Sequence, residues 1–117
     1  MGFWRKELID PALDEETRRH MQRQIDWIGR EPANPRPYHQ LALLYRMQWK
    51  QDEALGLLLE AVGLDEAFAP AHLALAEIYA VRSDYPAAWR HARLAQQHGD
   101  GGAVAMLERH RVAEPGA

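Results

Sequence analysis

The chain has 117 residues, a net charge of −3 and a sequence pI near 6.0, with 47% hydrophobic residues and no cysteine. That length fits one domain able to bury a core without cross-links, and the missing cysteine excludes disulfides, thiolate chemistry and cysteine-based zinc sites. The acidic balance gives no reason to expect whole-chain attraction to nucleic acid or anionic lipid, leaving only local basic patches.

At the N-terminus, MGFWRKELIDPALDEE has no apolar run long enough for a secretory signal or a membrane span. Lys6 stands where a myristoylation signal wants Ser or Thr. Twelve arginines against two lysines, with abundant alanine, suit a GC-rich bacterial genome. A cytoplasmic, helix-rich domain is the expectation.

In chain order, the first strong helical signal runs over about 14–29, opened by Asp14-Glu15-Glu16, whose carboxylates suit the positive end of a helix dipole. Next come two segments that echo each other. Leu41 pairs with Leu75, Ala42 with Ala76, Tyr45 with Tyr79, Ala54 with Ala88 and Ala61 with Ala95, always 34 residues apart. That period is the length of one helix–turn–helix unit. Leu41, Leu44 and Tyr45, like Leu75, Ile78 and Tyr79, sit at i, i+3 and i+4 and so share one helix face. WKQD (49–52) and RSDYP (82–86) separate the halves, with Asp84 as N-cap and Pro86 in the first turn. Second helices are expected over 53–64 and 86–97, the latter stopped by the glycines of GDGG (99–102), and a last helix over 103–112. Sustained alternation and β-branched runs are lacking, so no strand is expected. The recurring alanines have a packing reason: helices that approach closely leave room for little more than a methyl group.

A 34-residue unit with a large residue at its fourth place, Leu-Ala at the seventh and eighth, Tyr at the eleventh and Ala at the twentieth and twenty-seventh resembles the tetratricopeptide repeat. Units starting at Pro35 and Ala69 place Tyr38 and His72 at the fourth place. Glu66 and Asp100 stand where that family often has Pro, and Ala42 and Ala76 where it often has Gly. Counting back, Met1 opens an earlier, degenerate unit in which Trp4 and Pro32 fit the pattern. Asp10-Pro11 and Trp27 depart from it. The resemblance implies an all-α, right-handed superhelix of antiparallel helix pairs. One domain, 1–117, divides into a degenerate repeat (1–34), repeats at 35–68 and 69–102, and a capping helix (103–112).

The resemblance also implies a non-enzymatic scaffold that holds a partner's peptide or helix in a groove lined by its first helices. Matched place by place, the lining is Arg36, His39, Gln40, Leu43, Arg46 and Met47, then Leu73, Ala74, Glu77, Ala80 and Val81. Arg5 and Lys6 join from the degenerate unit, and Glu108 and Arg111 from the cap. A basic end and an apolar middle suit a segment with acidic residues and one or two apolar anchors, unless these arginines are ordinary solvated surface. The subtype that clamps terminal carboxylates uses Asn where this chain has Leu43 and Glu77, and is not expected.

The remaining chemistry reads as structural. The six histidines include no two at i, i+4 and no HExxH, so neither a metal nor a cofactor is expected. His72 occupies a packing place, while His20, His39, His91, His98 and His110 read as surface or groove. Ser83, the one serine, sits in a turn. GDGG lacks the lysine and preceding strand of a phosphate loop. Trp89 reads as core; Trp4, Trp27 and Trp49 either fill gaps or serve as anchors for another copy. An oligomerisation subunit working through its end faces and tryptophans is therefore the second expectation.

Overall fold

The computed structural model describes residues 13–116. Every regular element among the described residues is helical: α1 (Glu15–Arg30), α2 (Pro35–Met47), α3 (Gln51–Leu64), α4 (Ala69–Val81), α5 (Tyr85–Gln97) and α6 (Gly102–Arg109). The expected first half of the N-terminal unit, with Phe3, Trp4, Arg5 and Lys6, lies outside them. Asp14 stands just before α1 as its N-cap rather than within it, accepting from the Thr17 amide at 2.8 Å and the Thr17 hydroxyl at 2.9 Å. Asn34 caps α2 by accepting from the Arg36 amide at 3.0 Å, and Asp84 caps α5, as expected, by accepting from the Ala87 amide. The second helices start earlier than the sequence suggested, at Gln51 and Tyr85, and α6 stops at Arg109.

The turns repeat as faithfully as the helices. After α2 the Trp49 amide donates to Arg46 O and the Lys50 amide to Tyr45 O; 34 residues on, Ser83 donates to Ala80 O and Asp84 to Tyr79 O. These paired reaches of three and five residues form the Schellman stop, whose pivotal residue must be left-handed. Trp49 and Ser83 both have φ of 62°. The same stop closes α6 at Arg111 (φ 57°) and α5 at Gly99 (φ 104°), so only one of the four pivots is the residue without a steric penalty there. Turns between units also recur: Glu31 to Trp27 O and Asn34 to Glu31 O match Asp65 to Ala61 O and Phe68 to Asp65 O. The Tyr38 hydroxyl donates to Pro32 O at 2.8 Å, and His72 Nε2 meets Glu66 O at 2.8 Å, so each unit's fourth side chain anchors the turn before it.

Ala42, Ala54, Ala61, Ala76, Ala88 and Ala95 are all completely buried. Each helix packs on its chain neighbour, and α6 also reaches back to α4. One core joins α1 to α4 through Met21, Ile28, Leu41, Tyr45, Leu58 and Leu75; a second joins α4, α5 and α6 around Ala76, Trp89, Val104 and Leu107. Because α4 serves both cores, it is apolar nearly all round, the mark of a helix between two layers. The extents of 45 × 28 × 23 Å and a radius of gyration of 14.9 Å exceed the ~13 Å of a round domain this size, as a row of layers should.

Candidate functional site

The stripe of α2 formed by Arg36, His39, Gln40, Leu43, Arg46 and Met47 follows i, i+3, i+4, i+7, i+10 and i+11, and therefore lies on one face. Two clefts open along it. The first, about 510 Å³, brings Arg36, His39 and Gln40 together with Gln24 and Trp27 of α1 and with Phe68 and Pro70 at the start of α4. The second, about 520 Å³, brings Arg46, Glu77, Ala80 and Val81 together with Tyr85, Met106, Leu107, His110 and Val112. Leu43 is half-buried and Met47 exposed, and neither lines a cleft.

Phe68 and Asn34 hold equivalent places before α4 and α2, 34 residues apart. Asn34 uses its side chain to cap; the phenyl ring cannot, and lies edge-on to His39 with centroids 5.7 Å apart. Burial, and secondly the charge of Arg46, hold His39 below the usual imidazole range, so it is neutral at neutral pH. Trp27 stands in the register of Ala61 and Ala95, yet is only half-buried where those methyls are enclosed.

Several expected lining residues are placed differently. Ala74 is 2% exposed and sits in the core shared by α1 to α4, offering no surface. Arg46 is not a free cation, because its Nη1 donates to Glu77 Oε1 at 3.0 Å across neighbouring units. The basic character expected of the face is thereby reduced. Leu73 is half-buried against the second core near Gly102. Arg111 lies beyond α6 in the left-handed turn and Glu108 is exposed on α6, neither lining a described cleft.

Sequence reasoning also missed His91. It is 6% exposed, not a surface or groove residue, and lies against His72, which is 4% exposed. Their Nδ1 atoms are 3.0 Å apart and their rings stack at 5.2 Å, with Tyr79 stacked on His91 at 5.6 Å. The tautomers follow from chemistry. Glu66 O can only accept, so His72 Nε2 carries a hydrogen; His72 Nδ1 is then an acceptor and His91 Nδ1 donates to it. The signal was in the register: His91 corresponds to Leu57, which is 4% exposed. Burial, then the neighbouring His72 and Arg90, pull His91 down to about 4.

Among the described residues no group of three or more His, Cys, Asp or Glu side chains is placed to hold a metal ion. No helix among them is long and apolar enough to cross a membrane. Ser83 sits exposed in its left-handed turn. Trp89 is core, as expected, and donates from Nε1 to Val112 O at 3.2 Å, while Trp49 is 85% exposed. No protein-family model and no curated protein matches this chain.

Proposed function

We propose that the chain is a non-enzymatic adaptor of tetratricopeptide type, a right-handed superhelical row of helix pairs that holds a segment of another protein along the face shared by α2, α4 and α6. The observation that carries this reading is the pair of clefts opening along one stripe of α2, each gathering side chains from two or more helices. The alanines enclosed at 34-residue intervals support the repeat assignment, as do turn hydrogen bonds recurring at the same interval. A preformed surface of this kind binds with little backbone change. The partner chemistry is narrower than the sequence suggested, since Glu77 already neutralises Arg46. An acidic group belongs at Arg36, and apolar anchors belong in the second cleft beside Val81, Met106 and Val112. Photo-crosslinking residues placed at Gln40 and Val81 should trap partner protein, while the same residue at exposed Glu60 or Arg90 should not. Equal trapping at all four positions refutes the groove.

A second reading rests on Trp49. It is 85% exposed beside Met47 at 76%, and holds a left-handed conformation that a bulky residue adopts at a cost. Large exposed aromatics are frequent interface anchors, so this edge suits association between copies. Sedimentation that stays monomeric at high concentration excludes it.

A further inference from the structure

We infer that the cleft between Trp27 and Phe68 takes an extended, acidic peptide segment. Its backbone N–H donates to Gln24 Oε1, its carboxylate pairs with Arg36 and an apolar side chain lies against the two rings. The inference rests on the proposed adaptor function and specifies the occupant, which that reading leaves open between peptide and helix.

Gln24 lines this cleft and is 8% exposed, yet its Oε1 is buried and has no hydrogen-bond partner. A buried amide oxygen without a donor is costly and seldom left so unless something else supplies the donor. Charge narrows the choice. The lining residues include no carboxylate, and Arg36 is their one cation because His39 is held neutral. Arg36 is exposed and forms no ion pair with another described residue. Trp27, Phe68 and Pro70 supply the apolar walls.

The need for a donor separates an extended segment from a helix. A helix has already spent its N–H groups internally, except in its first turn. That turn is the positive end of the dipole and would face Arg36 unfavourably. An extended segment leaves its amides free and can offer one to Gln24 while a side-chain carboxylate reaches Arg36. Length follows from the same stripe: Arg36 and Arg46 are separated by about 15 Å along α2 at 1.5 Å per residue. An extended chain covers that in roughly four or five residues. An apolar residue so placed would reach the second cleft.

The test uses the full-length chain and an array of N-acetylated, C-amidated octapeptides carrying one fixed Asp among randomised positions. Binding should concentrate on peptides with an aromatic or aliphatic residue beside the Asp. The tightest one, labelled for anisotropy, should lose about tenfold or more with Arg36→Glu, and recover when its Asp is exchanged for Lys. N-methylating its amides singly should find one position that weakens binding by about tenfold in the wild type but not further in Gln24→Ala. Arg36 is exposed, so its variant keeps the test decisive if Gln24→Ala unfolds. Tighter binding by a helix-stabilised version of the peptide overturns the inference, as does a methylation penalty unchanged in Gln24→Ala. Peptides captured without any dependence on Arg36 overturn it while sparing the adaptor reading. No capture by any composition removes both, and self-association abolished by Arg36→Glu assigns the cleft to a second copy.

Discussion

Acidification should destabilise this fold well before its carboxylates titrate, and His91 is the reason. In the folded chain its imidazole is enclosed, 6% exposed, between the rings of His72 and Tyr79, with Arg90 nearby, and is pulled down to about 4 from an ordinary value of 6.5. The unfolded chain therefore takes up this proton first. The resulting contribution is fully present above pH 6.5, declines as pH falls toward about 4 and then levels off. At ~1.4 kcal/mol per unit of pH, the interval amounts to about 3 kcal/mol, a large share of the ~5–15 kcal/mol that holds a domain together. His39, also lowered by burial, adds in the same direction. Asp14 and Glu114 are lowered too, by the Thr17 hydrogen bonds and by Arg93 respectively, but carboxylates lose their contribution only at more acid pH. Urea unfolding between about pH 7.5 and 5 isolates the histidines. His91→Asn retains an N–H for His72 Nδ1 and cannot titrate; it should lower stability at pH 7.5 yet flatten the decline below 6.5. A decline as steep in His91→Asn as in the wild type refutes the argument.

Three further outcomes follow from the packing and the turns. Ala88→Leu should overfill an enclosed contact and cost roughly 1–3 kcal/mol, lowering the melting temperature; an unchanged melt would contradict the close approach assigned to that methyl. Trp49→Gly should stabilise by about 1 kcal/mol, because glycine takes φ of 62° without strain and the indole it replaces is 85% exposed; a lower melting temperature would show that the indole contributes more than its exposure suggests. Glu77→Gln should cost less than ~1 kcal/mol, since the pair with Arg46 is only half-buried. It should also free Arg46, so anisotropy should find tighter binding of acidic octapeptides; weaker binding would mean that Glu77 itself contacts the ligand.

Much of the layer pattern was legible because it depends on small residues at a fixed interval. Ala54 and Ala88, or Ala61 and Ala95, are where the sequence puts methyls and where side chains are enclosed. The N-cap at Asp84, with Pro86 in the first turn, was legible for the same local reason. Three classes of fact were not. The starts of α3 and α4 carry no side-chain cap, leaving no residue type to read there. The Arg46–Glu77 pair joins residues in different units, and its formation depends on the lateral offset of α2 and α4, which no periodicity specifies. His91 looked like surface because imidazole is usually polar surface; only its correspondence with buried Leu57 says otherwise.

The two clefts share an origin that connects fold to site. Where the 34-residue register is kept, alanine closes the helix crossings and leaves no room for anything else. Where it is broken, space opens. Trp27 replaces a buried alanine and stays half-exposed; Phe68 stands where the preceding unit has the capping Asn34, and turns its ring onto His39. The α6 helix stops at Arg109, so His110 and Val112 fold back to wall the second cleft instead of continuing the helix. Rules of local consistency are expected to fail mainly at functional places, and here the departures fall on the lining of the clefts. Restoring the register is then the sharpest perturbation available. Trp27→Ala together with Phe68→Asn should keep the fold, because neither side chain is fully buried and the introduced amide gives α4 the cap it lacks. Octapeptide binding at Arg36 should fall by about tenfold or more. Binding that survives the double substitution would mean that the irregular residues are incidental and that the cleft owes its shape to the helices alone.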